Sequence, residues 1–310
     1  MEFKHISVLL NECIEGLNIK DNGIYVDATL GGAGHSYEIA SKLSSNGLLI
    51  GIDQDENAIN AATKKLDKYL DRVRIVRSNF ENMQEVLVNE GIWQVDGILM
   101  DLGVSSHQLD EGDRGFTYHG HHKLDMRMDT RKKISAYDVV NTYEESELIR
   151  IIKDYGEEKF AKRIAYQIIK HRDEKPIVYN DQLVEIIKKA VPKERHIKKH
   201  PAKKTFQAIR IEVNQELKVL ENAVKTGVEM LAPGGRIAII TFHSLEDRMV
   251  KQMFKYYELS CICPKESPIC ICDKKKEIKI ITRKPIIASE EEQKNNLRSR
   301  TAKLRIAEKI

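Results

Sequence analysis

Apolar residues run along this chain in two rhythms. Short, nearly unbroken runs at 24–30 (Ile-Tyr-Val-Asp-Ala-Thr-Leu), 48–52 (Leu-Leu-Ile-Gly-Ile), 73–76 (Val-Arg-Ile-Val) and 95–100 (Val-Asp-Gly-Ile-Leu-Met) have the length and β-branched content of buried strands. Between them, Tyr37, Ile39, Ala40 and Leu43, and then Ala58, Ala61, Ala62, Leu66 and Leu70, recur at helical spacing. Strand and helix alternating in short units predict an α/β fold, a parallel sheet with helices on both faces. Open sheets of this kind bind ligands beyond the carboxyl ends of their strands. Each predicted strand here ends in a polar or glycine-rich element: Gly31–Gly34, Asp53, Asn79-Phe80 and Asp101.

The alternation stops near Asp110. From there to Lys204 the pattern predicts helices over 144–154, 157–170 and 180–190, punctuated by Pro176, Pro192 and Pro201, with no clear strand. After Thr205 a single stripe of Phe206, Ile209, Val213, Leu217, Leu220 and Val224 predicts one long amphipathic helix, stopping before Pro233-Gly234-Gly235. Arg236–Phe242 then reads as a buried strand, and Ile278–Ile281 and Leu304–Ala307 as candidate edge strands. The expected organisation is one sheet domain built from 1–110 and 205–310, interrupted by a helical domain at 111–204.

Composition narrows the class. With 310 residues, 41% of them hydrophobic, the chain can form a core but is long for one domain. No apolar run approaches the ~18 residues a membrane helix needs, and the first residues lack a signal-peptide core; a cytoplasmic protein is expected. The net charge of +4 hides local asymmetry. Lys188–Lys204 holds eight Lys/Arg against the single acid Glu194, and Cys261 to the C-terminus holds thirteen against seven acids. A solvated lysine-rich face is the plain explanation of such a run. Two of them on one chain favour a polyanionic partner, because neutralising phosphates releases counterions.

The glycine-rich turn does not fit a Gly-Lys-Ser/Thr phosphate loop. It fits a dinucleotide fingerprint poorly, since Tyr37 stands where the third glycine belongs. What remains is Asp-x-x-x-Gly-Gly-x-Gly with Asp53 at the second strand end. This arrangement resembles the S-adenosylmethionine site of Rossmann-like methyltransferases, in which a carboxylate can take both ribose hydroxyls. Phe80 could equally pack on adenine or belong to the core, and Asp101 could meet a target amine, bind the cofactor or cap a helix.

Longer blocks make the resemblance specific. Asp27-Ala-Thr-Leu-Gly-Gly-Ala-Gly-His35, Asp101-Leu-Gly-Val-Ser-Ser-His-Gln-Leu-Asp110, Arg114-Gly-Phe116, Leu124-Asp-Met-Arg-Met-Asp129, Thr205-Phe-Gln-Ala-Ile-Arg210 and Phe242-His-Ser-Leu-Glu-Asp-Arg248 are similar, in order, to the signature blocks of the RsmH/MraW family. These are bacterial ribosomal small-subunit RNA (cytosine-N4)-methyltransferases. His5–Leu10 and Ala302–Glu308 match as well, so the likeness spans nearly the whole chain. One departure is Lys123, where a proline is usual. The resemblance implies a Rossmann-like, S-adenosylmethionine-dependent methyltransferase fold with an inserted all-α domain. It implies cofactor contacts at Ala33, Gly34, His35, Asp53, Phe80, Asp101 and Gln108. It also implies 16S rRNA, within the small ribosomal subunit, as the partner.

For the chemistry, Asp101 is the candidate catalytic group. The cytosine N4 lone pair is delocalised, and an acceptor beside it would localise that pair as methylation proceeds. Arg127 and the basic residues Lys198, Lys199, Lys203 and Lys204 are the candidate RNA contacts. Asp125 is more simply an ion-pair partner. Two other functions use parts of the same pattern: a non-catalytic ribosome-assembly factor and a nicotinamide-dependent oxidoreductase. Cys261, Cys263, Cys270 and Cys272 either bind zinc or lie as reduced thiols in a hairpin around Pro264 and Pro268. Their spacing is tighter than that of ordinary zinc pairs, and no metal is assigned from sequence. Oligomeric state is left open.

Overall fold

The computed structural model describes residues 7–104, 112–193, 200–264 and 269–310. The chain divides into two compact units, one of Met1–Gly103 with Leu217–Ile310 and one of Val104–Glu216. The second reaches further at both ends than the expected 111–204.

The first unit is a seven-stranded sheet of β1 (Ile24–Asp27), β2 (Leu48–Asp53), β3 (Val73–Arg77), β4 (Val95–Asp101), β5 (Leu231–Thr241), β6 (Ile278–Ile280) and β7 (Lys303–Lys309). Its order is β3-β2-β1-β4-β5-β7-β6. β1 to β5 are parallel, and β7 runs antiparallel to both β5 and β6. This is the Rossmann-like methyltransferase topology the sequence predicts. The chain builds outward from β1 to β3, then returns to the other side of β1 as β4. That reversal opens a crevice at the carboxyl ends of β1 and β4.

Both faces of the sheet are buried, which explains the unbroken apolar runs. Val26, Ile50, Ile52, Ile98, Met100, Ile237 and Ile239 pack into one core layer. Their sequence neighbours Tyr25, Leu49, Leu99, Ala238 and Ile240 pack into the other, with Leu304 and Ile306 of β7.

Three details differ from the sequence pattern. β5 begins at Leu231, five residues early, because the strand continues past Pro233-Gly234-Gly235 through a register shift opposite Val95 and Gly97, with Gly234 at φ +77°. β7 is not an edge strand; it lies between β5 and β6, and its mean burial follows from having partners on both sides. The long helix after Thr205 is two helices, Lys203–Asn214 and Glu216–Met230, broken at Gln215 with φ +54°.

The second unit is helical: Ala136–Thr142, Glu145–Asp154, Ala161–Glu174, Asn180–Ala190 and Lys203–Asn214. Leu148, Ile151, Ile164, Ile168, Leu183, Ile187 and Ile209, all fully or almost fully buried, form a core of its own. Its extended backbone among the described residues is a single bridge, Lys123 with Tyr179.

Candidate functional site

The turn after β1 is built around a buried carboxylate. Asp27 accepts hydrogen bonds from Ser36 Oγ (2.6 Å) and Thr29 N (3.1 Å), tying the strand end to the helix Gly34–Lys42. Leu30 N donates to Ile52 O of β2, and Gly31 N to Asp53 Oδ2 (2.8 Å). Gly31 has φ +48°, and Ala33, just before the helix, has φ +55°. A non-glycine residue in this region costs on the order of 1 kcal/mol, the kind of strain that collects at functional turns. Gly34 is required by space: a Cβ there would collide with Ser7 Oγ.

Asp53 accepts Gly31 N through one oxygen and Asp55 N (2.8 Å) through the other. Burial nevertheless pushes its carboxyl up to about 6, against the lowering effect of those two bonds. A carboxylate has about four acceptor sites, so two remain for a ligand.

Asp101 closes β4. Its backbone N donates to Thr29 Oγ1 (2.6 Å), locking the strand end to the β1 turn. Its Oδ1 is buried and has no hydrogen-bond partner among the described residues. Burial first, then the carboxylates of Asp27 and Glu246, push its carboxyl up to about 8. His35 Nδ1 stands 3.9 Å from Asp101 Oδ2. The His35 ring is buried and its Nε2 lies 3.0 Å from the Val8 carbonyl, so Nε2 carries the proton. Burial drives its pKa down to about 4, leaving a neutral imidazole. The ring thus contributes to this corner as well as the backbone at the helix start.

Phe80 opens a short 3-10 turn after β3, which Asn79 caps through Glu81 N (2.9 Å). Its ring is half-buried against the core layer that contains Met83 and Leu87. At the end of β5, Glu246 accepts Phe242 N (2.8 Å) and His243 N (3.2 Å) and is itself buried. Sequence reasoning did not single out Glu246 or Ser36. The signal available for Glu246 was its place in Phe242-His-Ser-Leu-Glu246, a capping box after a strand.

The predicted residues Ala33, Gly34, His35, Asp53, Phe80 and Asp101 therefore occupy one edge, the carboxyl ends of β1 to β4. Asp27 and Glu246, buried, and Asp53 and Asp101, half-buried, make this edge acidic. Carboxyls pushed up by burial and mutual repulsion are relieved by a cationic ligand.

The other predicted residues belong to the helical unit or lie outside the described residues. Gln108, Lys198 and Lys199 lie outside the described residues. Arg127 is engaged in its own loop: Nε and one NH2 hold Asp125 (2.9 and 2.7 Å), and the other nitrogen donates to Thr130 O and Lys132 O (3.1 and 2.7 Å). The Asp125 carboxyl is held below the usual range by this pair, despite burial that acts the other way. Lys203 and Lys204 are exposed on the helical unit, Lys204 Nζ donating to Glu157 O. A shallow groove on the same unit is lined by Lys162, Arg163, Tyr166, Gln167 and Lys189, with Tyr166 largely exposed.

A family model described as the MraW methylase family matches residues 2–310. A Ribosomal RNA small subunit methyltransferase H of Clostridioides difficile (strain 630) is 61% identical over 311 residues, covering 100% of both chains. Another with that description, from Lachnospira eligens, is 57% identical, covering 100% of this chain and 99% of its own. Among solved structures, an rRNA methylase from Streptococcus thermophilus aligns over 97% of this chain and 93% of its own, at 12% identity and a TM-score of 0.43.

Proposed function

This chain belongs to the MraW methylase family, and from that premise we propose that it methylates N4 of a cytidine in the decoding centre of 16S rRNA, with S-adenosylmethionine as donor. The coarser activity, methylation of small-subunit rRNA, is supported by full-length relatives of that description at 57–61% identity. The observation that carries the finer reading is Asp101: a buried carboxylate oxygen with no hydrogen-bond partner among the described residues, at the point where the strand order reverses, beside the glycine turn and Asp53.

The residues fit the donor. S-adenosylmethionine has a sulfonium, an ammonium and a ribose diol, matching an acidic edge with free acceptor sites. Asp53 has two acceptor sites left for the ribose hydroxyls. The backbone of Ala33, Gly34 and His35, at a helix start, suits the ligand's carboxylate. Phe80 offers a ring face for adenine; the family resemblance adds Gln108, outside the described residues, to the cofactor contacts. Bound there, the donor supplies a methyl group activated by sulfonium.

The protein's own work is position and proton management. Holding N4 in line with the methyl can contribute on the order of 7–11 kcal/mol. The Asp101 carboxyl, pushed up to about 8, gives up its proton to solvent when the donor's positive charge lies beside it; ionised in this way it is matched to accept a hydrogen bond from N4 and take the proton that it sheds. The neutral His35 beside it adds no competing positive charge. The helical unit carries the RNA contacts. Lys198, Lys199, Lys203 and Lys204 act on phosphates, Arg127 shapes its loop and presents its face there, and the Tyr166 groove offers a stacking ring among cations. The target base must leave its stack to reach such a site. On this reading the protein works in the cytoplasm, on the small ribosomal subunit.

The test is transfer of labelled methyl from S-adenosylmethionine to small subunits and to naked 16S rRNA, followed by nucleoside mass spectrometry. N4-methylcytidine at one position, lost with Asp101→Ala, is the expected result. RNA binding without transfer would instead make the protein an assembly factor, and label on another base atom would sink the N4 assignment.

A further inference from the structure

One cluster among the described residues takes no part in methyl transfer. Between the helix Ser244–Glu258 and β6, the four Sγ atoms of Cys261, Cys263, Cys270 and Cys272 lie within 4.8 Å of one another. The separations are 3.4 Å for 261–270, 3.9 Å for 263–270, 3.6 Å for 270–272 and 3.7 Å for 272–261. No disulfide joins them. A tetrahedral ion with ~2.3 Å metal–sulfur bonds has sulfur–sulfur edges of about 3.8 Å. The four distances scatter about that value, far from bonded sulfurs.

Two further observations bear on these thiols. Backbone amides point at the sulfurs: Ile262 N at Cys272 (3.3 Å), Cys263 N at Cys261 (3.4 Å) and Ile271 N at Cys263 (3.4 Å). Donors of this kind stabilise thiolates and orient metal ligands. The described residues of the segment also form no core of their own. Ile262, Ile269 and Ile271 are 51%, 74% and 85% exposed, and its described residues form no strand that would gather the sulfurs in a hairpin. Weak thiol hydrogen bonds on an exposed loop would not offset the entropy of ordering it.

We propose that Cys261, Cys263, Cys270 and Cys272 bind one Zn2+ as four thiolates. Each thiol gives up its proton to solvent, and no oxidant or reductant is needed. The zinc–tetrathiolate carries a charge of −2, and Lys274, Lys275 and Lys276 follow one acidic residue, Asp273, in sequence. With all four positions filled by sulfur the ion has no open site for water, so its role is structural. It staples the connection into β6, in place of the apolar burial that the loop lacks.

The experiment is elemental analysis of the untagged full-length protein, purified reduced and without chelator. One zinc per chain is expected, released by a mercurial, and cobalt in its place should show the visible absorption of a tetrahedral thiolate site. The double variant Cys270→Ser/Cys272→Ser should lose the metal while S-adenosylmethionine binding persists. Should that variant aggregate, chelator treatment of the parent gives the second readout: proteolysis within 259–277 should accelerate several-fold and be reversed by zinc. Absence of zinc after reconstitution, iron in its place, two disulfides per chain under non-reducing mass spectrometry, or metal retained by the double variant would each overturn the proposal.

Discussion

Asp101 shows what a single residue contributes to this site and at what cost. Its folded carboxyl sits near 8 against an ordinary value of 3.8. The folded chain therefore holds an extra proton between about pH 4 and 8. The stability linked to that proton is complete below about pH 4 and lost as pH rises to 8. Asp101→Asn should then unfold at higher denaturant than the parent at pH 9, by roughly 1–3 kcal/mol, while methyl transfer falls at least tenfold. A variant no more stable at that pH would mean the carboxyl is not so strained. A cation beside Asp101 favours its ionised form, so donor affinity should rise between pH 6 and 8 and level off beyond. Calorimetry on parent and Asp101→Asn isolates the part of the rise that belongs to this carboxyl. For Asp53, replacement by Ala removes the acceptor of Gly31 N and Asp55 N. Donor Kd should increase roughly 10–100-fold, the worth of one or two hydrogen bonds to a charged group, with RNA binding little changed.

At the level of elements, the strands were legible because both faces of the sheet are buried, so an apolar run of the right length has few other readings. The helix after Thr205 was not legible as two pieces. Its stripe continues through 214–217, and the break depends on groups far away in sequence. Asn214 accepts Met128 N (2.8 Å) and donates to Met126 O (2.8 Å) and Arg210 O (2.9 Å), while Arg210 grips Glu216 through two 2.8 Å bonds. No periodicity contains that information. The same bonds hold the loop that Arg127 closes, in which Met126 has φ +59°. Asn214→Ala would leave a buried amide and a buried carbonyl unpaired. It should lower the unfolding free energy, read from denaturant titration, by about 1–3 kcal/mol, with Asn214→Asp failing to rescue because it cannot donate. The acidic edge was legible only where a strand ended in a polar residue. Asp27 and Glu246 act on Asp101 through space, and that pairing follows from strand order, which the sequence does not print.

For the whole molecule, the charge pattern and the fold predict separable functions. Reversing Lys198, Lys199, Lys203 and Lys204 to Glu should weaken RNA binding and flatten its dependence on salt, since fewer counterions are released. Donor binding at the strand ends should be unaffected. An unchanged salt slope, read by filter binding across a salt series, would remove this segment from the RNA contact. β4 and β5 are neighbours in the sheet although the entire helical unit separates them in the chain. Bringing two such distant segments together as flexible chain carries a loop-closure penalty that grows with the logarithm of the intervening length. An insert that folds before the sheet shortens the effective tether and lowers that penalty. Ile151→Ala, deep in the insert's own core, should accordingly slow refolding of the sheet as well as loosen the helices. Stopped-flow kinetics of parent and variant would reveal the delay at the β4–β5 seam.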